Sequence, residues 1–437
     1  MGTLLSLALL LAPRAEALTL DEAWAAVEAR GQEAGMLEEQ RRQAGLVKTQ
    51  ALAAISPKVN LGGNYTYNQR EVKLDFAGSF PPEMLALIEQ FTGEPVSFGE
   101  PRVIQMKDYF DANLSVVVPL FSARALPGLR AANAMVRAGD AQARAGLAQV
   151  RLGVARAYWG ALVAREAAVI AEAGRALAER HAAQVEALVK AGSATRQAEL
   201  QARMAVARAE REQAGAEARR VAAETALAML VEGEPGAALD VPAPREVPFG
   251  TVEEAVEQAL ARRPDLVAAR ETVTAARQTR SAANAAWAPN LDGRFTQMWT
   301  QNTGFNGENW NWMAVASATW TPWDGGFRLA EQERAASQTR MAESALAKAE
   351  QDAETEVRAA WAELVRARTA RAAAKRELEL GEENLRMAEA SHAAGASAFL
   401  DLEDARMARD SARLAGMTER MGEDLAVLGL LRSTGRL

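Results

Sequence analysis

The chain has 437 residues, no cysteine, two histidines and a net charge of only -7 from 50 basic and 57 acidic side chains. Spread along the chain, that balance leaves no basic footprint for nucleic acid. The missing thiols exclude disulfides, a thiolate metal site and a lipid-attachment cysteine. Ala, Glu, Arg, Gln and Leu dominate most of the sequence, a mix suited to long helices, in which Ala has the highest intrinsic propensity.

In chain order, the apolar run 4–12 ends in Ala15-Glu16-Ala17, a small-x-small cleavage signature, so residues 1–17 read as a secretory signal peptide. The plain alternative is a buried N-terminal helix; the run is too short to span a bilayer. No other stretch approaches about 20 apolar residues, so any membrane crossing must be made by strands.

Residues 20–57 then recur at 252–289 with a constant shift of about 232, which pairs Glu22 with Glu254, Arg30 with Arg262, Glu39 with Glu271 and Pro57 with Pro289. Beyond the aromatic inserts a second shift, of about 203, aligns Gly192 with Gly395 and Ala202-Arg203-Met204-Ala205 with Ala405-Arg406-Met407-Ala408. The chain is therefore a duplication. Its first repeat covers 18–231, with a strand pair at about 58–119 and a long helical hairpin at about 122–231. A proline-rich linker, 232–250, leads to a second repeat over 251–437, with strands at about 290–322 and a hairpin at about 325–433.

The inserts hold the aromatic residues: five of nine Trp lie between 299 and 323, and three of four Tyr at Tyr65, Tyr67 and Tyr109. Phe110, Ala112, Leu114, Val116, Val118 and Leu120 alternate with Asp111, Asn113, Ser115 and Val117, the period of a strand with one apolar and one largely polar face. Trp310, Trp312, Ala314, Ala316, Ala318 and Trp320 share a face in the second insert. With Tyr65, Tyr67, Tyr109, Phe110 and Trp299, the tryptophans Trp310, Trp312 and Trp320 read as an aromatic girdle around a membrane barrel. The odd shift of 203 poses a conflict of faces. Either a bulge changes the register, or Trp310 to Trp320 line the lumen. Within the first insert, Met84, Leu85, Leu87, Ile88 and Phe91 after Pro81-Pro82-Glu83 predict one short helix.

From 122 to 190 and from 325 to 393 apolar and Ala positions recur at helical spacing, giving rods of about 100 Å at 1.5 Å per residue. Turns at Ala191-Gly192-Ser193 and Ala394-Gly395-Ala396-Ser397 send shorter helices back. Four strands cannot close a barrel, and open edges are not tolerated in lipid. Pooling three chains gives twelve strands and twelve helical strands, hence a mainly α protein that trimerises into a 12-stranded β-barrel continuous with an α-helical barrel. A dimer also closes, around a narrower passage.

Over nearly its whole length the chain resembles the TolC-type outer-membrane efflux protein family. The resemblance is carried by Leu20-Asp21-Glu22-Ala23, Arg263-Pro264-Asp265-Leu266, Pro119-Leu120-Phe121, Pro322-Trp323-Asp324-Gly325-Gly326 and Phe399-Leu400-Asp401-Leu402. It implies a homotrimeric exit duct through the outer membrane, with a long periplasmic extension. A periplasmic adaptor (membrane fusion protein) and an inner-membrane transporter would feed it, in a tripartite efflux or type I secretion system.

The resemblance also maps a periplasmic gate onto Asp401 and Asp404, which stand three apart on one helix face. The competing reading is that acids early in a helix favour its positive end. Gly192, Ser193, Ala194, Gly395 and Ser397 would be the adaptor-contacting hairpin tips, or simply helix-ending residues. His181 and His392, near these tips, read as surface residues rather than metal ligands, and no cofactor is expected. An enzyme is not expected either, since no phosphate loop, metal helix or nucleophile–base pair appears. The rival function is a soluble periplasmic coiled-coil adaptor or scaffold.

Overall fold

The structure, a computed structural model, describes residues 17–75, 78, 80–94, 101–234, 236–304, 307–394 and 396–437. The expected signal peptide thus falls, but for its last residue, outside the described residues, as does the tip residue Gly395. The first repeat runs α1 (Leu20–Arg30), α2 (Gln32–Ala53), β1 (Lys58–Tyr67), β2 (Val72–Leu74), α3 (Pro82–Thr92), β3 (Arg102–Gln105), β4 (Asp108–Phe121), α4 (Ala125–Lys190) and α5 (Arg196–Val231). The second runs α6 (Val252–Arg262), α7 (Pro264–Ala285), β5 (Asn290–Thr300), β6 (Trp310–Thr319), α8 (Phe327–Ala393) and α9 (Phe399–Ser433).

The duplication is reproduced element by element. The leading helices have 11 and 22 residues in each copy, the rods 66 and 67, and the returning helices 36 and 35. Glu22 and Glu254 recur because each closes a capping box. Thr19 and Thr251 accept from the backbone N–H three residues on, and the glutamate reaches back to the threonine N–H. Each copy breaks its leading helical stretch, by different means. Gly31 leaves the helix with ψ 138°, in a position where a Cβ would lie 2.6 Å from Val27 O. In the second copy Pro264 forces Arg263 out of helical geometry and then serves as the first residue of α7.

The chain divides into two compact units. One, formed by Leu46–Met135 and Val273–Met341, holds a four-stranded antiparallel sheet in the order β1-β4-β5-β6, beside the small β2-β3 pair. The other, the described residues of Met1–Gly45 with Val136–Thr272 and Ala342–Leu437, is helical. Its principal core gathers Leu20, Ala23 and Val27 of α1, Leu152, Tyr158, Trp159 and Leu162 of α4, Leu227 and Val231 of α5 and Leu428 of α9. A second cluster joins α6, α8 and α9 through Val256, Val357, Leu364, Val427 and Leu430.

The linker packs on this unit as an extended strap. Leu18 bridges Leu239, the Tyr158 hydroxyl donates to Asp240 O at 2.7 Å, and Arg420 donates to Pro242 O at 3.0 Å. Burial pushes the Tyr158 hydroxyl up to about 12, so it remains a donor throughout the physiological range.

Glycines let α4 press against α2. A Cβ on Gly139 would meet Ala44 Cβ at 2.4 Å, and one on Gly146 would meet Leu37 Cδ2 at 2.5 Å. Gly139→Ala is therefore expected to lower stability by about 1–2 kcal/mol, although Ala is the better helix former by about 1 kcal/mol. Gly153→Ala, with no heavy atom within 4 Å of the added Cβ, should raise it instead. Thermal melts followed by helical circular dichroism check both signs.

Candidate functional site

Two regions carry the chemistry: the sheet, and the ends of the helical hairpins. In the sheet the strand register decides which residues share a face. Phe110 pairs with Tyr65, Ala112 with Gly63, Leu114 with Leu61 and Val116 with Val59. Across β5, Ala112 stands opposite Trp299, Leu114 opposite Gln297 and Val116 opposite Phe295. These in turn face Trp310, Trp312 and Ala314 of β6. One face is thus apolar on all four strands, with Gln297 and, opposite Tyr67 at the end of the ladder, Asp108 as its polar members. The other carries Asn60, Asn64, Asp111, Asn113, Ser115, Asp292, Arg294, Asn311 and Ser317.

The conflict of faces is settled by a bulge. Pro119 pairs with Asp292 and Phe121 with Leu291, which leaves Leu120 as an extra residue in β4. Above it, β4 and β6 share faces at an even sequence offset; below it, at an odd one. The odd helical shift is thereby compatible with apolar residues of both inserts on one side, and Trp310 and Trp312 stand with Phe110 and Leu114.

Tyr65, Phe110, Trp299 and Trp310 form a row across the four strands at one end of the apolar face. The Phe110 and Trp299 rings lie 6.2 Å apart, and Trp299 pairs directly with Trp310. Phe110 covers Gly63, where a Cβ would meet its Cζ at 3.1 Å. Tyr67 closes β1 on this face with Lys107 Nζ 5.4 Å from its ring centroid, and Trp312 lies one step deeper against Phe295, 6.2 Å away. Trp320, just past β6, marks the opposite end and donates Nε1 to Trp287 O at 3.1 Å. Tyr109 departs from the expected girdle. It pairs with Thr66 on the polar face, because pleating sends neighbours 109 and 110 to opposite sides.

At the hairpin ends, Gly192 has φ 75°, and Ser193 N–H returns to Leu188 O at 2.8 Å, the left-handed cap that ends α4. Gly192 and Ser193 are exposed, while Ala194 and Ser397 are half-buried. On α9, Asp401 and Asp404 are both exposed. The Asp401 carboxylate accepts from Ala398 N–H at 3.0 Å, so it also caps the helix; Asp404 is free of such a contact among the described residues.

Sequence reasoning missed two clusters here. Glu199, nearly buried, is held by Arg196 at 2.5 Å and Arg203 at 2.6 Å. His181 of α4 stacks flat on Phe399 of α9, ring centroids 3.3 Å apart and planes within 2°, with His392 of α8 edge-on to the same ring at 6.0 Å. That both histidines of the chain lie near turns was the one available hint. Among the described residues no group of His, Cys, Asp and Glu is arranged to hold a metal ion, and no helix is long and apolar enough to cross a membrane.

A sheet with one apolar, aromatic-edged face and one polar face, carried by a duplicated chain of long helical hairpins, defines the class of outer-membrane efflux ducts. The family model described as "Outer membrane efflux protein" matches residues 14–232 and 255–436, and the chain belongs to that family. Among solved structures it is similar to the outer-membrane protein VceC of Vibrio cholerae, at 18% identity and TM-score 0.69, covering 95% of this chain and 96% of that one. It is similar also to the CmeC channel of Campylobacter jejuni, at 14% identity and TM-score 0.75, covering 95% and 85%. The open-state MtrE channel of Neisseria gonorrhoeae matches at 20% identity and TM-score 0.69, covering 95% and 88%. No curated protein matches the sequence. The protein is an outer-membrane efflux channel with a long periplasmic helical part, and the soluble adaptor expected as its rival is not favoured.

Proposed function

We propose that three copies of the chain close one pore, which passively conducts substrates delivered by a periplasmic adaptor and an inner-membrane transporter. The observation that carries this reading is the sheet with two faces and two open edges. Among the described residues β1 pairs only with β4 and β6 only with β5, and every residue of β6 is exposed. Hydrocarbon does not tolerate such edges. Because four strands is an even number, β6 of one copy meets β1 of the next antiparallel, and any ring of copies closes. Eight strands leave an interior that side chains fill; twelve leave a passage, lined here by the polar face. A ten-residue strand such as β6 tilted by about 40° rises about 25 Å, the height of the apolar band of an outer-membrane barrel.

The apolar face is the lipid face, with Tyr65, Phe110, Trp299 and Trp310 in one interfacial girdle and Trp320 in the other. Gly192, Ser193, Ala194, Gly395 and Ser397 form the tips that meet the adaptor. Asp401 and Asp404 line the periplasmic aperture, where three copies bring six carboxylates around one axis and attract cations. The experiment is current through the purified protein in planar bilayers, with its mass measured in detergent. A trimer whose current is blocked by divalent cations, with block weakened about tenfold or more in Asp401→Asn/Asp404→Asn, is expected. A conducting trimer with unchanged block removes the aperture assignment, and a non-conducting monomer removes the whole reading.

A further inference from the structure

The only two histidines in the sequence, 211 positions apart, converge on one phenylalanine. His181 comes from the first hairpin, and His392 and Phe399 from the two helices of the second. The contact therefore joins the hairpins at the root of the segment that bears Asp401 and Asp404. His392 Nδ1 lies 3.2 Å from Ser397 O; since a carbonyl only accepts, that nitrogen carries the proton and ties the turn itself. His181 Nδ1 is buried with no hydrogen-bond partner among the described residues. We propose that Phe399 is a positioning residue of the aperture: clamped between His181 and His392, it holds the start of α9 in the narrow arrangement and is released when His181 takes up a proton. The proposal rests on the reading of Asp401 and Asp404 as aperture residues.

The clamp is neutral by construction. One turn either side of His181 on α4 stand Leu177, Ala178, Gln184 and Val185, none of them charged. On α8, Glu389 is engaged by Arg406 at 2.8 Å, and Arg386 pairs with Glu383. On α5, Glu199 is held by Arg196 and Arg203. On α9 the acids are Asp401, which caps Ala398 N–H, Glu403 and Asp404. None of these bears on His181. Burial lowers its pKa from the usual 6.5, and the charge of His392 lowers it further. A histidine with a lowered pKa in the clamped state stabilises that state fully above its ordinary value. The stabilisation is lost as pH falls through about 6.5, because the released form takes the proton first. This window lies above the ordinary carboxylate range.

The test is bilayer conductance at pH 7.5 and 5.5. The current of the unaltered channel should rise on acidification, by up to about tenfold, since pH 5.5 lies one unit below the ordinary histidine value. Phe399→Ala should pass the higher current at both pH values. His181→Phe, which keeps a stacked ring and removes the proton, should stay low at both. A second reading uses the cysteine-free background. Nitroxide labels on Ala183→Cys and Leu400→Cys should show a longer or broader distance at pH 5.5, and no such change with His181→Phe added. A His181→Phe channel that responds to pH as the parent does, or labels whose separation ignores pH, would overturn the clamp. Labels that separate while Asp401→Asn/Asp404→Asn leaves cation block intact would retain the clamp and remove the aperture assignment instead.

Discussion

Ala314→Arg is expected to abolish assembly in the outer membrane, whereas Met313→Arg, one residue earlier in the same strand, should assemble and change only the conductance. Both sit near the middle of β6, between Trp310 and Trp320, and both are exposed. They differ in face. Ala314 pairs with Phe295 and Met313 with Thr296; across β4, Phe295 stands opposite Val116 and Thr296 opposite Ser115. A guanidinium at the bilayer midplane on the lipid face costs about 2–4 kcal/mol, and a trimer carries three of them, of the order of its total stability. On the polar face the same group is hydrated in the passage, where it weakens cation conduction by charge alone. The measurements are heat-modifiable mobility of the membrane fraction on gels, which reports folded trimer, and ion selectivity of the Met313→Arg pore. The reverse pattern, with Ala314→Arg assembling and Met313→Arg lost, would mean that the tryptophan face lines the lumen and that the Leu120 bulge does not set the register of the assembled barrel.

That pair of neighbours also shows how far the sequence could be read. Alternation at 110–120 and 310–320 revealed strands with two faces, since a period of two survives any context. Their relative parity was not legible. It depends on whether Leu120 is counted in the ladder, and nothing in Pro119-Leu120-Phe121 distinguishes a paired leucine from a bulged one. The same division runs through the helices. Equal spacing of Thr19/Glu22 and Thr251/Glu254 announced the duplicated starts, because a capping box is local chemistry. Arg263-Pro264 marked the start of the second copy's longer helix, but Gly31 does not look like it, so the matching break in the first copy was not legible. At the tips, Asp401 and Asp404 were found through a resemblance carried by neighbouring residues, whereas the ring of Phe399 between His181 and His392 joins three helices from distant parts of the chain. No spacing rule brings such residues together. The linker is similar: its prolines marked an interruption, but the backbone groups that Tyr158 and Arg420 bind there become visible only once α4 and α9 are folded beside it.

Trp159→Ala should be the most damaging single truncation in the helical unit, at about 3–5 kcal/mol, and its cost should shrink as the pH is lowered. Trp159 is fully buried at the meeting of α1, α4, α5 and α9, so little of the cavity left by the indole can be filled by relaxation. Its Nε1 donates to Asp424 Oδ2 at 2.7 Å, and Arg245 Nε stands 3.8 Å from the other carboxylate oxygen. Burial raises the pKa of Asp424, while the Trp159 bond, Arg245 and Arg420 oppose the rise. Removing the indole takes away the first of these supports and lifts the pKa further. A carboxyl whose pKa is higher folded than unfolded favours the fold while protonated, and loses that advantage as pH rises through the folded value. The alanine variant should therefore be weakest near pH 7.5 and recover part of its loss near pH 5. Asp424→Asn separates the two contributions: its amide oxygen still accepts from Trp159, no charge is buried, and stability should lie within about 1 kcal/mol of the parent with less dependence on pH. Helical circular dichroism melts of the three proteins at pH 5 and 7.5 read all of these outcomes. An Asp424→Asn loss as large as that of Trp159→Ala would show that the ionised carboxylate with its arginines, rather than the packed indole, holds the helices together at this level.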